Sequence, residues 1–290
     1  MRIFIIVILL FASSLSVTAQ NFDSVTIKTT KVSDSIYMLE GSGGNIGVLI
    51  GNDGIIMVDD QYAPLSEKIK NAIATFSNKP IKFVINTHYH EDHADGNKKF
   101  GAEGAILVAH ENTRKRLSGT QSIEAFKVEQ KAYPYEVLPK ITFSESVTFN
   151  MNGETVQVYY VKNAHTDGDA IIYFNKSNVL HAGDVFVRYG LPFIDQKNGG
   201  SIDGMIRGAD QILKIINDDT KIIPGHGQLS NKKDLVEYKK MLQTVRNRVS
   251  AGMKAGKTME QIINSDPAKE FKAVFDKVYF VQSVYYSLKK

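Results

Sequence analysis

Along the chain, short β-branched apolar runs alternate with stretches of helical spacing. Residues 25–28 and 36–39 predict short strands, with Gly41-Ser42-Gly43-Gly44 as a flexible turn after them. Residues 46–50 and Ile55–Val58 are apolar runs split by Asn52-Asp53-Gly54, a hairpin signal. Leu65, Ile69, Ala72, Ile73 and Phe76 recur at helical spacing and predict a helix over 65–76. Ile81–Ile85 reads as a buried strand, 105–108 as another, and 111–133 as helical. The pattern then repeats in type. Ile141–Phe143, 147–150, 156–161, 170–174 and Val179–His181 predict strands, with Asn152-Gly153 as a tight turn. Ser201 is placed to cap a helix whose apolar face runs through Ile202, Met205, Ala209 and Ile212. Lys221–Ile223 is a last strand, and helical segments around 231–251 and 258–288 complete the chain. Strands and helices in this order predict an α/β fold of two halves, sheets face to face and helices outside.

The first residues obey a different logic. Met1 and Arg2 are followed by an apolar run over 3–12 and small or polar residues over 13–20. Val17-Thr18-Ala19 fits a signal-peptidase site, so 1–19 is expected to be a cleaved signal peptide and the mature chain periplasmic or secreted. The run is too short to cross a bilayer core of roughly 30 Å. The remaining composition is that of a folded protein: 43% hydrophobic and 23% charged residues argue against disorder, collagen or a coiled coil. A net charge of +4 does not call for nucleic acid as a partner and leaves a small molecule as the expected one. The absence of cysteine excludes disulfides, thiolate nucleophiles and cysteine metal sites. Oligomeric state is not legible.

The strongest chemical signal is Thr87-His88-Tyr89-His90-Glu91-Asp92-His93, where three of the seven histidines fall within six positions. In an extended segment His88 and His90 point the same way, and Asp92 and His93 come next at the turn. Imidazole nitrogen and carboxylate oxygen suit zinc. His165 lies between two predicted strands, and Asp184 and His226 each directly after one. Every candidate therefore sits at a strand end, where a layered α/β fold gathers its site.

With these residues in their order, the sequence resembles the metallo-β-lactamase superfamily over about 25–230. His88, His90, Asp92 and His93 match its HxHxDH motif. His165, Gly183-Asp184 and His226 match the later motifs, and Asp59 matches an early strand-end acidic residue. The resemblance implies a four-layer αββα sandwich: two packed mixed β-sheets with outer helices, in one domain over 20–290 with a C-terminal helical extension from 231. It implies two zinc ions, with iron or manganese as alternatives. One would be held by His88, His90 and His165, the second by Asp92, His93 and His226, with Asp184 bridging. Two such cations bring the pKa of water down to about 7, giving hydroxide at neutral pH. Asp92 would also serve catalysis by orienting the nucleophile and accepting its proton.

The implied function is zinc-dependent hydrolysis of a small ester, thioester, lactone or lactam. A β-lactamase proper, an iron-dependent oxidase or dioxygenase, and a phosphodiesterase or nuclease are the alternatives. Asp184 stands where one β-lactamase subclass carries cysteine, and this form is common in thioesterase, lactonase and phosphodiesterase branches. Among flanking residues, Arg188 is a candidate to pair with a substrate carboxylate or phosphate. Asn198 is a candidate donor to a carbonyl, and the segment 41–45 a candidate flap. His181 reads as a core histidine and His110 as a helix-start or surface residue. The basic residues of the C-terminal helices read as a solvated outer face.

Overall fold

A computed structural model describes residues 21–289. The expected signal peptide, 1–19, lies outside the described residues. The first sheet is built from β1 (Lys28–Lys31), β2 (Ile36–Glu40), β3 (Ile46–Leu49), β4 (Ile55–Val58), β5 (Ile81–Ile85) and β6 (Ile106–His110). A separate hairpin of β7 (Gln121–Ile123) and β8 (Val128–Gln130) intervenes before β9 (Ile141–Phe143) joins that sheet beside β6. Pairing is antiparallel from β1 to β4 and parallel from β4 through β5 and β6 to β9. The second sheet runs β10 (Ser146–Met151), β11 (Glu154–Val161), β12 (Asp169–Phe174), β13 (Val179–His181), β14 (Lys221–Ile223) and β15 (Ser230–Asn231). Only β13 and β14 pair in parallel there. At the β10–β11 turn Asn152 and Gly153 both have positive φ, 57° and 68°, as a type I′ turn requires.

The apolar pattern explains the layers. In β4 all four residues are buried because both faces are covered. Ile56 and Val58 meet Val156, Val158, Ile172 and Phe174 of the second sheet, and this cluster is the seam between the sheets. Ile55 and Met57 face the other way, toward Ile69 and Ile73 of α1 (Ser66–Ala74). After β5 come the short α2 (Glu91–Ala94) and α3 (Asn97–Phe100), and after β6 comes α4 (Glu111–Leu117). Phe100 and Leu117 bring α3 and α4 onto the outer cluster of the first sheet. The outer face of the second sheet carries α5 (Ile202–Ile215), α6 (Lys232–Lys254), α7 (Met259–Asn264) and α8 (Lys277–Leu288), through Ile212, Leu242, Val245, Phe280 and Val284. The result is helices, sheet, sheet, helices.

Three sequence expectations are corrected. The strand expected at 25–28 begins at Lys28. Val25 and Ile27 pack on the outer cluster instead, and the Lys68 ammonium holds the carbonyls of Phe22, Asp23 and Val25. The helix expected over 111–133 stops at Leu117. Most of the remaining span is the β7–β8 hairpin, with Lys127 in the left-handed region at its turn. The single helix expected over 258–288 is two. α7 ends at Asn264, Pro267 comes soon after, and α8 starts afresh where the Asp276 carboxylate accepts from the N–H groups of Val278 and Tyr279.

Candidate metal centre

The loop after β5 bends over residues 87–89, is extended at His90 and then turns into α2, which carries Asp92 and His93. His165 comes after β11, Asp184 after β13 and His226 after β14, so three further chain segments end at the same place. All seven side chains fall into groups within ligand distance of one another: His88 with His90 and His165, His88 with His93 and Asp184, and Asp92 with His93 and His226. His90 Nδ1 lies 3.1 Å from His88 Nε2 and 2.9 Å from His165 Nε2. His226 Nε2 lies 3.2 Å from His93 Nε2 and 3.3 Å from Asp92 Oδ2. Asp184 stands between the groups. Its Oδ1 is 3.3 Å from His93 Nε2, and its Oδ2 is 3.6 Å from His165 Nε2 and 3.5 Å from His226 Nε2.

The outer ring nitrogens decide whether this set suits a metal. His93 Nδ1 faces Asp59 Oδ2 at 2.8 Å, His90 Nε2 faces Asp195 Oδ2 at 3.0 Å, and His165 Nδ1 faces the Phe193 carbonyl at 2.9 Å. His88 Nδ1 faces the Thr87 hydroxyl at 3.0 Å, whose own proton goes to Asp59. With acceptors on the outside, a proton on each outer nitrogen leaves the inner nitrogen available to give a lone pair to a cation. Lone pairs about 3 Å apart repel unless a cation lies among them. Asp184 Oδ1 is buried and makes no hydrogen bond. A nitrogen-and-carboxylate set of this kind fits zinc and the neighbouring first-row metals.

Without a metal the two halves titrate apart. Burial holds His88 well below the ordinary imidazole value and brings His165 to about 4. Burial opposes charge on His93 and His226 as well, but Asp184 and Asp92 outweigh it. His93 is held well above the ordinary value and His226 is raised to about 9. Burial likewise works against Asp92 and Asp184, yet the adjacent histidines hold both carboxyls below their usual range.

Backbone passes close to the ligands where glycine allows it. A Cβ on Gly44 would lie 2.1 Å from His93 Cε1, and one on Gly225 would lie 1.9 Å from Asp184 Oδ1. The segment 41–45, expected to be a flap, is bolted down. Gly44 N–H donates to the Asp92 carbonyl, Gln61 Nε2 donates to the Gly44 carbonyl, and Asn45 Nδ2 donates to the carbonyls of Pro224 and Gly227. His181 joins the same assembly, donating from Nε2 to the Asn45 carbonyl and accepting at Nδ1 from Gly183 N–H. His110 is a buried cap of α4 rather than a surface residue, stacked on Tyr160 at 3.9 Å.

Two expected substrate contacts are elsewhere. The Arg188 guanidinium pairs with Asp234 at 3.2 Å and lines a different recess, toward Glu237 and Tyr238. Asn198 is buried, donates to both oxygens of Asp195 and accepts from Arg116. It reaches the metal ligands through Asp195, which in turn holds His90, and it also donates to the Ser122 carbonyl of the hairpin. No motif marks Asp195 or Asn45, and neither is singled out by the sequence. On the C-terminal helices Lys239 pairs with Asp210, Arg246 with Asp203 at 3.0 Å and Arg248 with Glu270 at 2.7 Å, which leaves those cations compensated. A cavity of about 450 Å³ opens over Asp92, Asp184, His90 and His226. A cavity of about 340 Å³ beside α1 has Lys70 and Glu103 on its walls and no histidine. Among the described residues no helix is long and apolar enough to cross a membrane.

The sequence model of the metallo-beta-lactamase superfamily matches residues 39–227. The chain is 20% identical over 255 residues to a metallo-beta-lactamase type 2 from Bacteroides fragilis, covering 83% of this chain and 94% of that one. It is 26% identical over 207 residues to a hydroxyacylglutathione hydrolase from Polaromonas sp., covering 71% and 68%. The crystal structure of DIM-1 metallo-beta-lactamase aligns with a TM-score of 0.62 at 21% identity, covering 76% of this chain and 99% of that one. The sec-alkylsulfatase Pisa1 from Pseudomonas sp. aligns with a TM-score of 0.68 at 15% identity, covering 89% and 50%. At these identities the structural likeness is one of fold.

Proposed function

The chain belongs to the metallo-β-lactamase superfamily, and from that membership and the seven converging ligands we propose an exported hydrolase that carries two zinc ions and acts on a small ester, thioester, lactone or lactam. The observation that carries the reading is Asp184. Its Oδ2 lies between His165 and His226, one from each triad, and its Oδ1 faces His93, so one carboxylate reaches both triads. His88, His90 and His165 would hold one cation, and Asp92, His93 and His226 the other. When bound, the pair supplies Lewis acidity toward a carbonyl and lowers the pKa of water to about 7.

The chain's own residues do the rest. Asp92 lines the cavity and stays ionised, so it accepts a hydrogen bond from the attacking water and orients it. Asp59, Thr87, Asp195 and the Phe193 carbonyl fix the histidine rings, so the ligands need little rearrangement. The β7–β8 hairpin places Ile123, Phe126 and Val128 on the cavity wall and gives it an apolar side. The names of the relatives include lactamases and a hydroxyacylglutathione hydrolase, which supports hydrolysis without choosing among substrates.

The test is hydrolysis of a chromogenic β-lactam, a thioester, a lactone and a phosphodiester by the zinc-loaded chain 20–290, with Asp92→Ala and His88→Ala as controls. Turnover of an ester, thioester, lactone or lactam that both variants lose supports the reading. Wild-type turnover by either variant overturns the assigned roles, and bound iron with oxygen consumption would move the chain to the oxidase reading. Export rests on the pattern of residues 1–19. Its check is the mass of protein recovered outside the cytoplasm, expected to begin at Gln20.

A further inference from the structure

The cavity above the metal centre has no basic side chain outside its histidines. Among the described residues lining it, none is lysine or arginine, and the one charged side chain besides the ligands is Glu91, an acid. Arg188 is committed to Asp234 in another recess. Lys127 sits on the left-handed turn between Phe126 and Val128 and is not among the lining residues. The opposite wall is apolar. Phe126, Val128 and Phe275 line the cavity and yet remain 45%, 48% and 41% exposed. Large apolar side chains left in water around a cavity mouth mark a surface meant to be covered by something apolar.

The cavity also continues beyond the metals. A second recess of about 220 Å³ shares Phe126, Phe193 and Phe275 with it and runs on to Leu191, Tyr279 and Phe280. The partition between the two consists of rings in edge contact, Phe126 to Phe193 at 5.1 Å and Phe126 to Phe275 at 5.5 Å. Phe126 stands on the hairpin and Phe275 on the segment before α8, so the two spaces are separated by side chains that both cavities share.

Resting on the hydrolase reading above, we propose that the substrate is an ester or amide of an uncharged apolar acyl group, alkyl or aryl-alkyl, whose tail passes the Phe126–Phe193–Phe275 partition into the second recess. An anionic substrate tail would pass Glu91 on the first cavity and meet Asp276 on the second recess, and would find no guanidinium or ammonium among the described residues of either lining. An uncharged chain would cover the three exposed residues and be covered by them. Hydrolysis balances simply: water adds its oxygen to the acyl carbon, the bond to the leaving oxygen or nitrogen breaks, and the leaving group takes a proton.

The experiment compares p-nitrophenyl acetate, butyrate and octanoate with the mono-p-nitrophenyl ester of octanedioic acid, using the zinc-loaded protein. Each methylene buried on binding should raise kcat/KM by roughly threefold to fourfold until the recess is filled. The octanoate should exceed the octanedioate by at least tenfold. Val128→Lys should narrow that ratio by tenfold or more, and Phe275→Ala should flatten the chain-length series. A flat series in the wild type, or preference for the carboxylate-bearing ester, overturns the proposal while leaving the hydrolase reading intact. If no ester is hydrolysed, the hydrolase reading is in question and binding decides the present one. The uncharged dye N-phenyl-1-naphthylamine should brighten with the metal-free and the zinc-loaded chain. Octyl acetate should displace it, succinate should not, and Phe126→Ala or Phe275→Ala should weaken it. No brightening, or displacement by succinate, overturns the proposal.

Discussion

The carboxylate of Asp195 lies 3.0 Å from Nε2 of His90, the ring that turns its Nδ1 toward the metal centre. Tyr89 and Asn198 donate to the same carboxylate, which burial would make a weak acid and His90 and these donors bring down to about 2. An acceptor there favours the His90 tautomer that carries its proton on Nε2 and turns Nδ1 to the metal site. Asp195→Asn keeps the shape and loses the charge. It is expected to weaken zinc binding by about 10–100-fold, the range for such outer partners, measured by competition with a chromogenic chelator. An unchanged affinity with a lowered Tm would assign Asp195 a structural role alone.

Gly44 and Gly225 leave no room for a side chain against His93 and Asp184. Gly44→Ala or Gly225→Ala should therefore displace a ligand and lower the metal bound per chain below that of the wild type, read by elemental analysis of purified protein. Gly104→Ala is the contrast. Its Cβ would meet nothing within 4 Å, but its φ is +100°, so it should lower Tm through backbone strain of about 1 kcal/mol and leave metal content alone.

Metal binding should release protons. His226 at about 9 and His93, also raised, hold protons at pH 7 in the metal-free chain, and a cation must displace them. Calorimetry in buffers of different ionisation enthalpy should report more than one proton released per chain at pH 7, falling as pH passes through about 9. No release would contradict the charge distribution of the site. The same groups set the sign for stability. His226 is raised, so its contribution is complete below the unfolded value of about 6.5 and is lost as pH rises through about 9. His165 is lowered, so its contribution is complete above about 6.5 and is lost as pH falls through about 4. From these two groups the chelated protein should lose Tm on both sides of neutrality, and saturating zinc should remove the alkaline loss.

Arg188 faces away from the cavity, so Arg188→Ala should change kcat/KM by less than about threefold. The loss of its part-exposed pair with Asp234 should cost at most about 1 kcal/mol of stability. A tenfold fall in kcat/KM with stability unchanged would place the guanidinium in the substrate's path.

How far the sequence is legible depends on the range of the forces involved. β4 and β13 can be read because strands buried on both faces need near-continuous apolar runs, as in IIMV, while β5, expected to be buried throughout, is buried only at Val84 and Ile85 with Lys82 exposed. The loop from Thr87 to His93 can be read because its ligand types crowd into a single turn. The β7–β8 hairpin cannot, because Gln121–Ile123 and Val128–Gln130 are too short to show alternation and lie beside a genuine helix. Arg188 is misplaced by the sequence because chain proximity to Asp184 says nothing about direction; its backbone N–H binds the His226 carbonyl while its side chain turns outward to Asp234. Asp195 stays invisible because its importance comes from a contact with His90 across 105 positions.

The two walls of the cavity differ in what holds them. Phe275 leads into α8, whose Phe280, Val281 and Val284 are buried in the main cluster of the second sheet. The hairpin belongs to neither large sheet and is pinned near its ends, by Gln130 to the Tyr89 carbonyl and by Asn198 to the Ser122 carbonyl. Residues 124–129 hang between those two anchor points and otherwise touch the body through the Lys197–Glu124 pair and the Phe126 ring contacts. The cavity thus closes between a wall continuous with the core and a wall strapped on beside it, so the apolar lining can be altered on the strap without touching the ligand-bearing loops.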